Sequence, residues 1–340
     1  METIYLVIPR WFYPNNLGDS LACTLGPTVL KKEYPNSKLV VITVGELAGI
    51  MEDNPLVDKV VPPTQELSWV AGTYEWWKQE SQNGRKNLPE NMFVLFAEHH
   101  PRVWEYWNEN YDFLYKHPTA NLLYVNFLLQ LGMEKYLYDG TDLLPVLLIN
   151  KPKVEEKTLG IVPAHKVSFA NPGPHPGCDG KGFRFNGDHG ESWRSFVKEI
   201  KRLDPEIKIV EFSKDFLGFG DVHVGHLPWK TLAYEAAKTK VSILSDGGMH
   251  HIFNSQNKDF VLLAAQTINK LHHYANKNST LYWDLHNACM QRCGEQMRKL
   301  TCWNDMNITC DHSCDTVDPV KLAQYVIRDF FNEECISYGS

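Results

Sequence analysis

Glycine is scarce where a nucleotide-binding loop would need it. The segment "YPNNLGDSLACTLGP", residues 13–27, follows an apolar run and carries one glycine, Gly18, ahead of the helix signal. A dinucleotide fingerprint would place three glycines in such a turn. No G-x-x-x-x-G-K-S/T occurs, which excludes a P-loop. Long apolar runs are missing too. The best, "TANLLYVNFLLQLGM", is interrupted by Asn126 and Gln130 and falls short of the ~20 residues needed to span a bilayer. The opening "METIYLVIPR" has no basic segment before its apolar run, so no secretory leader is read and a cytoplasmic location is expected. Positive charge is in deficit. A net charge of −7 argues against a general nucleic-acid coat protein, although it leaves room for a local basic groove. C-x2-C pairs, the mark of common zinc sites, are absent as well.

What is present is regular alternation over 340 residues, enough chain for two domains. In the first half "TIYLVIP", "KLVVITV", "DKVVPP" and "NMFVLFAEHHP" predict strands. Between and after them "DSLACTLGPTVLKKEYP", "ELAGIMEDNP" and "ANLLYVNFLLQLGM" predict helices. Residues 150–158, "NKPKVEEKT", are charged with no apolar face and read as a linker between domains at 1–150 and 151–340. The pattern then restarts. "VSFANPGPHPG", "IKIVEFS", "DVHVGHLP" and "VSILS" predict strands, "ESWRSFVKEIKRL", "TLAYEAAKTK" and "GMHHIF" predict helices, and "FVLLAA" closes the sheet. Such alternation implies an α/β protein with two doubly wound, Rossmann-like halves facing a cleft, and ligands at the carboxyl ends of the strands.

Four groups of residues could carry chemistry. In "SILSDGGMHHIF", Asp246, Gly247 and Gly248 make a turn into a helix, where close-approaching N–H groups suit a diphosphate; a plain turn needing φ > 0 is the other reading. His250 and His251 follow, pointing about 100° apart if helical, and either donates to a phosphate oxygen or packs in the core. The loop "HPGCDGKGFRFNGDHGESW" offers Lys181 and Arg184 to an anionic donor, or is solvated. Glu98, His99 and His100 end a strand, as cleft residues or as a polar sheet edge. The tail reads C-x3-C-x8-C-x7-C-x3-C through Cys289, Cys293, Cys302, Cys310 and Cys314, which fits a structural metal such as zinc or reduced, buried thiols.

Taken in order, these residues resemble a known family. Gly18-Asp19, Tyr34-Pro35, Asn54-Pro55, Val57-Asp58, then "VSFANPGP" and "LPWKTLAYEAAKTKVSILSDGGMHHIF", are similar to the heptosyltransferases of glycosyltransferase family 9. The resemblance implies a GT-B fold and inverting transfer from a nucleoside-diphosphate sugar, with no cofactor or metal required for catalysis. It implies Asp19 as general base. Asp246, Gly247, Gly248, Met249, His250 and His251 would form the donor turn with Lys181 or Arg184 as the cationic contact, and Asn16, Gly18, Glu98 and His99 the facing wall of the cleft. Gly247 stands where the family has Ser or Thr, and the family's K-x-W-P element is blurred here. The cysteine tail resembles that of relatives that glycosylate bacterial autotransporter proteins and hold iron.

The functional expectation is a metal-independent glycosyltransferase in a bacterial cytoplasm or a phage-infected host. Its partners would be a nucleotide sugar and a glycan or protein acceptor. Two alternatives stand beside it. One is a phage-type enzyme acting on hydroxymethylated bases in DNA, given "RWFYP", "WWKQESQNGRK" and "KGFRF". The other is a non-catalytic nucleotide-sugar-binding module.

Overall fold

The computed structural model describes residues 2–8, 17–62, 79, 88–95, 100–117, 119–163, 191–213, 216–225, 227–245, 248–263, 279–282 and 318–332. Two parallel sheets organise them. The first uses β1 (Thr3–Val7), β2 (Lys38–Ile42), β3 (Lys59–Val61) and β4 (Met92–Val94) in the order β3-β2-β1-β4. The second uses β5 (Glu155–Val162), β6 (Lys208–Phe212), β7 (Val222–Val224), β8 (Thr239–Ser245), β9 (Phe260–Leu263) and β10 (Ser279–Tyr282) in the order β10-β9-β8-β5-β6-β7. Numbered within its own half, the second sheet runs 3-2-1-4-5-6 reversed, the doubly wound order, and the first sheet is its opening part. Each sheet therefore has a switch point where strand order reverses: between β1 and β4, and between β5 and β8.

The helices follow from local chemistry. The expected helix over 19–35 is two helices, α1 (Leu17–Cys23) and α2 (Leu25–Glu33). Pro27 cannot donate to the Cys23 carbonyl and its ring would clash there, so one continuous helix is excluded. Thr24 occupies the break. Its hydroxyl donates to Leu21 O at 2.5 Å and accepts Val146 N–H at 2.7 Å. Next come α3 (Gly45–Glu52), α4 (Val103–Glu109), α5 (Tyr111–Lys116) and α6 (Leu122–Leu131). Asn121 caps α6 by accepting Tyr124 N–H at 2.8 Å, and Gly132 ends it in the left-handed conformation at φ 69°. Asn126 and Gln130, the residues that interrupt its apolar run, are buried within the protein. Among the described residues no helix is long and apolar enough to cross a membrane.

In the second half α7 (Glu191–Leu203) buries Trp193, Phe196 and Ile200, one stripe of a helix whose other faces are charged. After it come α8 (Trp229–Lys238), α9 (Met249–Ser255) and α10 (Pro319–Val326), the last capped by Asp318 and packed against α7 in the same apolar cluster. Two expectations are corrected here. Glu155, Glu156 and Lys157, read as linker, begin β5; they are its exposed end, and burial starts at Thr158. The strand at Phe260 does not close the sheet, because Ser279–Tyr282 pairs outside it in parallel. The predicted strand at 167–177 lies outside the described residues.

One polar device appears in both halves although no sequence period announces it. Lys31, near the end of α2, donates to Ser37 O at 2.6 Å and to Asp58 at 2.8 Å, and Asp58 accepts Leu39 N–H at 2.7 Å. Lys201, near the end of α7, donates to Ile207 O at 2.7 Å and to Asp221 at 2.6 Å, and Asp221 accepts Ile209 N–H at 2.8 Å. Each aspartate directly precedes the third strand of its half, so helix, second strand and third strand are fastened at one point. Lys31 and the Leu39 N–H hold the Asp58 carboxyl below its ordinary pKa. Burial pushes Asp221 up, but Lys201 and the Ile209 N–H outweigh it and its pKa is also lowered.

Apolar burial is threefold. One cluster fills the first half around β1, β2, β4 and α6, and a second lies between the second sheet and α7 with α10. The third joins the halves: Leu21, Ile50 and Leu147 pack with Val162, Phe212, Ala233, Leu244, Ile252 and Phe253.

Candidate functional site

The first helix after each sheet's switch point faces the other. α1 follows β1, and α9 follows β8. Where they cross, a Cβ added to Gly18 would lie 3.0 Å from His251 Cδ2, 3.3 Å from His251 Nε2 and 3.3 Å from Gly248 Cα. Gly18 therefore serves the close approach of two helix starts. Gly248 has φ −62°, which any residue adopts, so the plain reading of that glycine as a φ > 0 turn does not hold.

His250 and His251 both fall in the first turn of α9, each 2% exposed. Their rings lie 3.8 Å apart, centroid to centroid, at 39°. His251 turns toward the first half. Its Nδ1 lies 3.1 Å from the Tyr124 hydroxyl of α6, and its Cδ2–Nε2 edge lies against Gly18. Burial pushes the Tyr124 phenol far above its ordinary pKa, so it stays protonated, and it shares one hydrogen bond with His251 Nδ1.

Of the residues singled out in the sequence, Gly18, Gly248, Met249, His250 and His251 are brought to this junction. Asp19 lies in α1, near the Leu17 end of its described residues. Asn16, Glu98, His99, Lys181, Arg184, Asp246, Gly247 and the five tail cysteines lie outside the described residues. His100 is described. Its N–H donates to Asn126 Oδ1 at 2.6 Å, which ties the chain beyond β4 to α6. Burial, then the Arg102 charge, holds the His100 imidazole below its ordinary pKa. Among the described residues no group of three or more His, Cys, Asp or Glu side chains could hold a metal ion.

Sequence reasoning missed Tyr124 and Asn126. Both sit in a helix whose run of leucines reads as core, and nothing in spacing distinguishes a core tyrosine from one whose hydroxyl crosses to another domain. It also missed a second junction. Glu46, in the first turn of α3, accepts the N–H of Trp229 at the start of α8 at 3.2 Å. Lys230, also at the start of α8, donates to Gly49 O of α3 at 3.2 Å and pairs with Asp53 just past the end of α3. Each helix thus receives from the other a charge suited to its dipole.

No family model matches the chain, and no curated protein matches it. Solved structures do. A glycosyl transferase family 9 structure from Veillonella parvula DSM 2008 superposes with TM-score 0.54 at 14% identity, over 96% of each chain. E. coli heptosyltransferase WaaC with ADP gives 0.50 at 12% identity, over 82% of this chain and 92% of that one. The iron-containing dodecameric glycosyltransferase TibC from enterotoxigenic E. coli H10407 gives 0.52 at 11%, over 92% of this chain and 67% of that one. The chain has the GT-B fold of these glycosyltransferases.

Proposed function

We propose that the chain is an inverting glycosyltransferase. It moves a sugar, heptose or another, from a nucleoside-diphosphate donor to an acceptor hydroxyl on a glycan or protein. Residues 1–150 form the acceptor side and 151–340 the donor side. The observation that carries the reading is the junction of the two switch points, where Gly18, beside the only carboxylate of α1, meets Gly248 and His251. In an open parallel sheet the switch point is where ligands bind; two of them meeting suits a reaction between two ligands.

The acceptor oxygen attacks the anomeric carbon from the face opposite the diphosphate. The new C–O bond forms as the bond to the diphosphate oxygen breaks, and the configuration inverts. Asp19 takes the acceptor proton. A carboxylate near a helix start is a weak base in water, so its contribution depends on being held beside the hydroxyl. The departing diphosphate carries the displaced electron pair. Backbone donors of the 246–251 turn, with Lys181 or Arg184, meet that charge. This chemistry draws on no metal.

The test uses a panel of ADP, UDP and GDP sugars. A donor at 100 times its dissociation constant raises stability by about 2.7 kcal/mol, read as a thermal shift. Asp19→Asn is expected to keep that shift and lose transfer by about 10²–10⁴-fold. Transfer at the wild-type rate by Asp19→Asn overturns the base assignment. A wild type that binds a nucleotide sugar but neither transfers nor hydrolyses it is a binding module.

A further inference from the structure

Tyr124 belongs to α6 of the first half, yet its hydroxyl bonds to a side chain of the second. The bond to His251 Nδ1 is buried at both ends, with Tyr124 fully enclosed and His251 2% exposed. Asn121 holds Tyr124 from below: its side chain accepts the Tyr124 N–H at 2.8 Å. The far edge of the same imidazole lies against the backbone at Gly18, where even a methyl group would crowd it. His251 is thus a wedge between α9 and α1, and Tyr124 sets the rotation of the wedge. An imidazole free to turn about its Cβ–Cγ bond would present a different thickness to Gly18. The spacing of the two helix starts would then no longer be single-valued.

We propose that Tyr124 is a positioning residue for transfer: by orienting His251 it fixes the separation between the start of α1 at Gly18 and the start of α9 at Gly248. This rests on the reading of those helix starts as acceptor and donor sides. The hydroxyl is fully buried and bonded to His251, so its effect falls on the geometry of reaction rather than on donor binding. A displacement of the order of 1 Å between reacting groups costs up to about a hundredfold in rate.

The experiment measures kcat for transfer by the wild type and Tyr124→Phe, with the active nucleotide sugar of the ADP, UDP and GDP panel. It also measures affinity for the matching nucleoside diphosphate, and thermal melting. Tyr124→Phe is expected to melt cooperatively, to bind the diphosphate as the wild type does, and to lose about ten- to a hundredfold in kcat. His251→Asn keeps a hydrogen-bonding group near the Nδ1 position and is expected to retain more kcat than His251→Leu, which keeps none. That pair decides the matter if Tyr124→Phe does not fold. Unchanged kcat in Tyr124→Phe overturns the proposal while leaving the transferase reading intact. So does a loss of diphosphate affinity equal to the loss in kcat, or His251→Asn no better than His251→Leu. No transfer by the wild type with any sugar of the panel overturns the transferase reading, and this proposal with it.

Discussion

Among the described residues, two of the junctions between the halves are built on opposite principles. At α1, α6 and α9 the contact is buried and made of a glycine, an imidazole and one hydroxyl-to-nitrogen bond. At α3 and α8 it is partly exposed and made of charges, with Lys230 40% and Asp53 50% exposed. The first has no slack, because an added methyl would sit at 3.0 Å from its neighbour. The second tolerates adjustment, because long side chains and water let an ion pair stretch at little cost. The rigid contact is the one beside the proposed reaction site, and the compliant contact lies away from it.

Substitutions that treat the junctions alike should therefore give unlike results. The largest stability effect is expected from Gly18→Val. Its branched side chain must displace His251 or the Gly248 backbone, and overpacking of this kind costs about 1–3 kcal/mol. Urea unfolding should show that loss, and transfer should disappear with it. Wild-type stability in Gly18→Val would mean that α1 and α9 are not held at this distance. Tyr124→Phe should cost about 1 kcal/mol in the same measurement, the usual net worth of a hydrogen bond.

At the charged junction, Lys230→Met should cost only about 0.2–1 kcal/mol, and less in 1 M salt, where exposed pairs are screened. Its effect on kcat should be smaller than that of Tyr124→Phe. A larger kcat loss in Lys230→Met would reverse the ranking of the junctions.

The smallest effect concerns acid. The Asp58 carboxyl is held below its ordinary pKa by Lys31 and the Leu39 N–H. An acid whose folded pKa is depressed contributes stability above its unfolded value, near 3.8, and loses it as pH falls through the folded value. Asp58→Asn should flatten the fall of melting temperature below about pH 4 while leaving transfer at neutral pH unchanged. The clamp lies within one half, so it serves as a control: stability moves and the junctions do not. An unchanged acid limb in Asp58→Asn would assign the acid sensitivity elsewhere.

Much of this was legible in the chain. Trp193, Phe196 and Ile200 recur at helical spacing between charged residues, and α7 runs from Glu191 to Leu203 as that pattern implies. Strands β1, β2 and β9 are short apolar runs bounded by polar residues, because a parallel strand is buried on both faces. Three local signals misled. Glu155–Lys157 read as linker because a strand's exposed end has the same composition. The helix over 19–35 read as one because its apolar period continues through Thr24, whereas backbone chemistry at Pro27 does not. "STLY" is too short to announce β10 without its neighbour β9.

Near-neighbour chemistry alone set the alternation of strand and helix and a helix beginning within residues 248–253. Those follow from side-chain period and from the hydrogen-bonding needs of adjacent backbone. Only the tertiary structure decided that Gly18 abuts Gly248 and His251, that Tyr124 reaches across to Nδ1, and that Lys31–Asp58 and Lys201–Asp221 are one device built twice. These contacts join residues far apart in the chain, and Tyr124 and His251 are 127 positions apart. A bond of that kind leaves no period in the sequence, since what brings its partners together is the packing of two separate sheets.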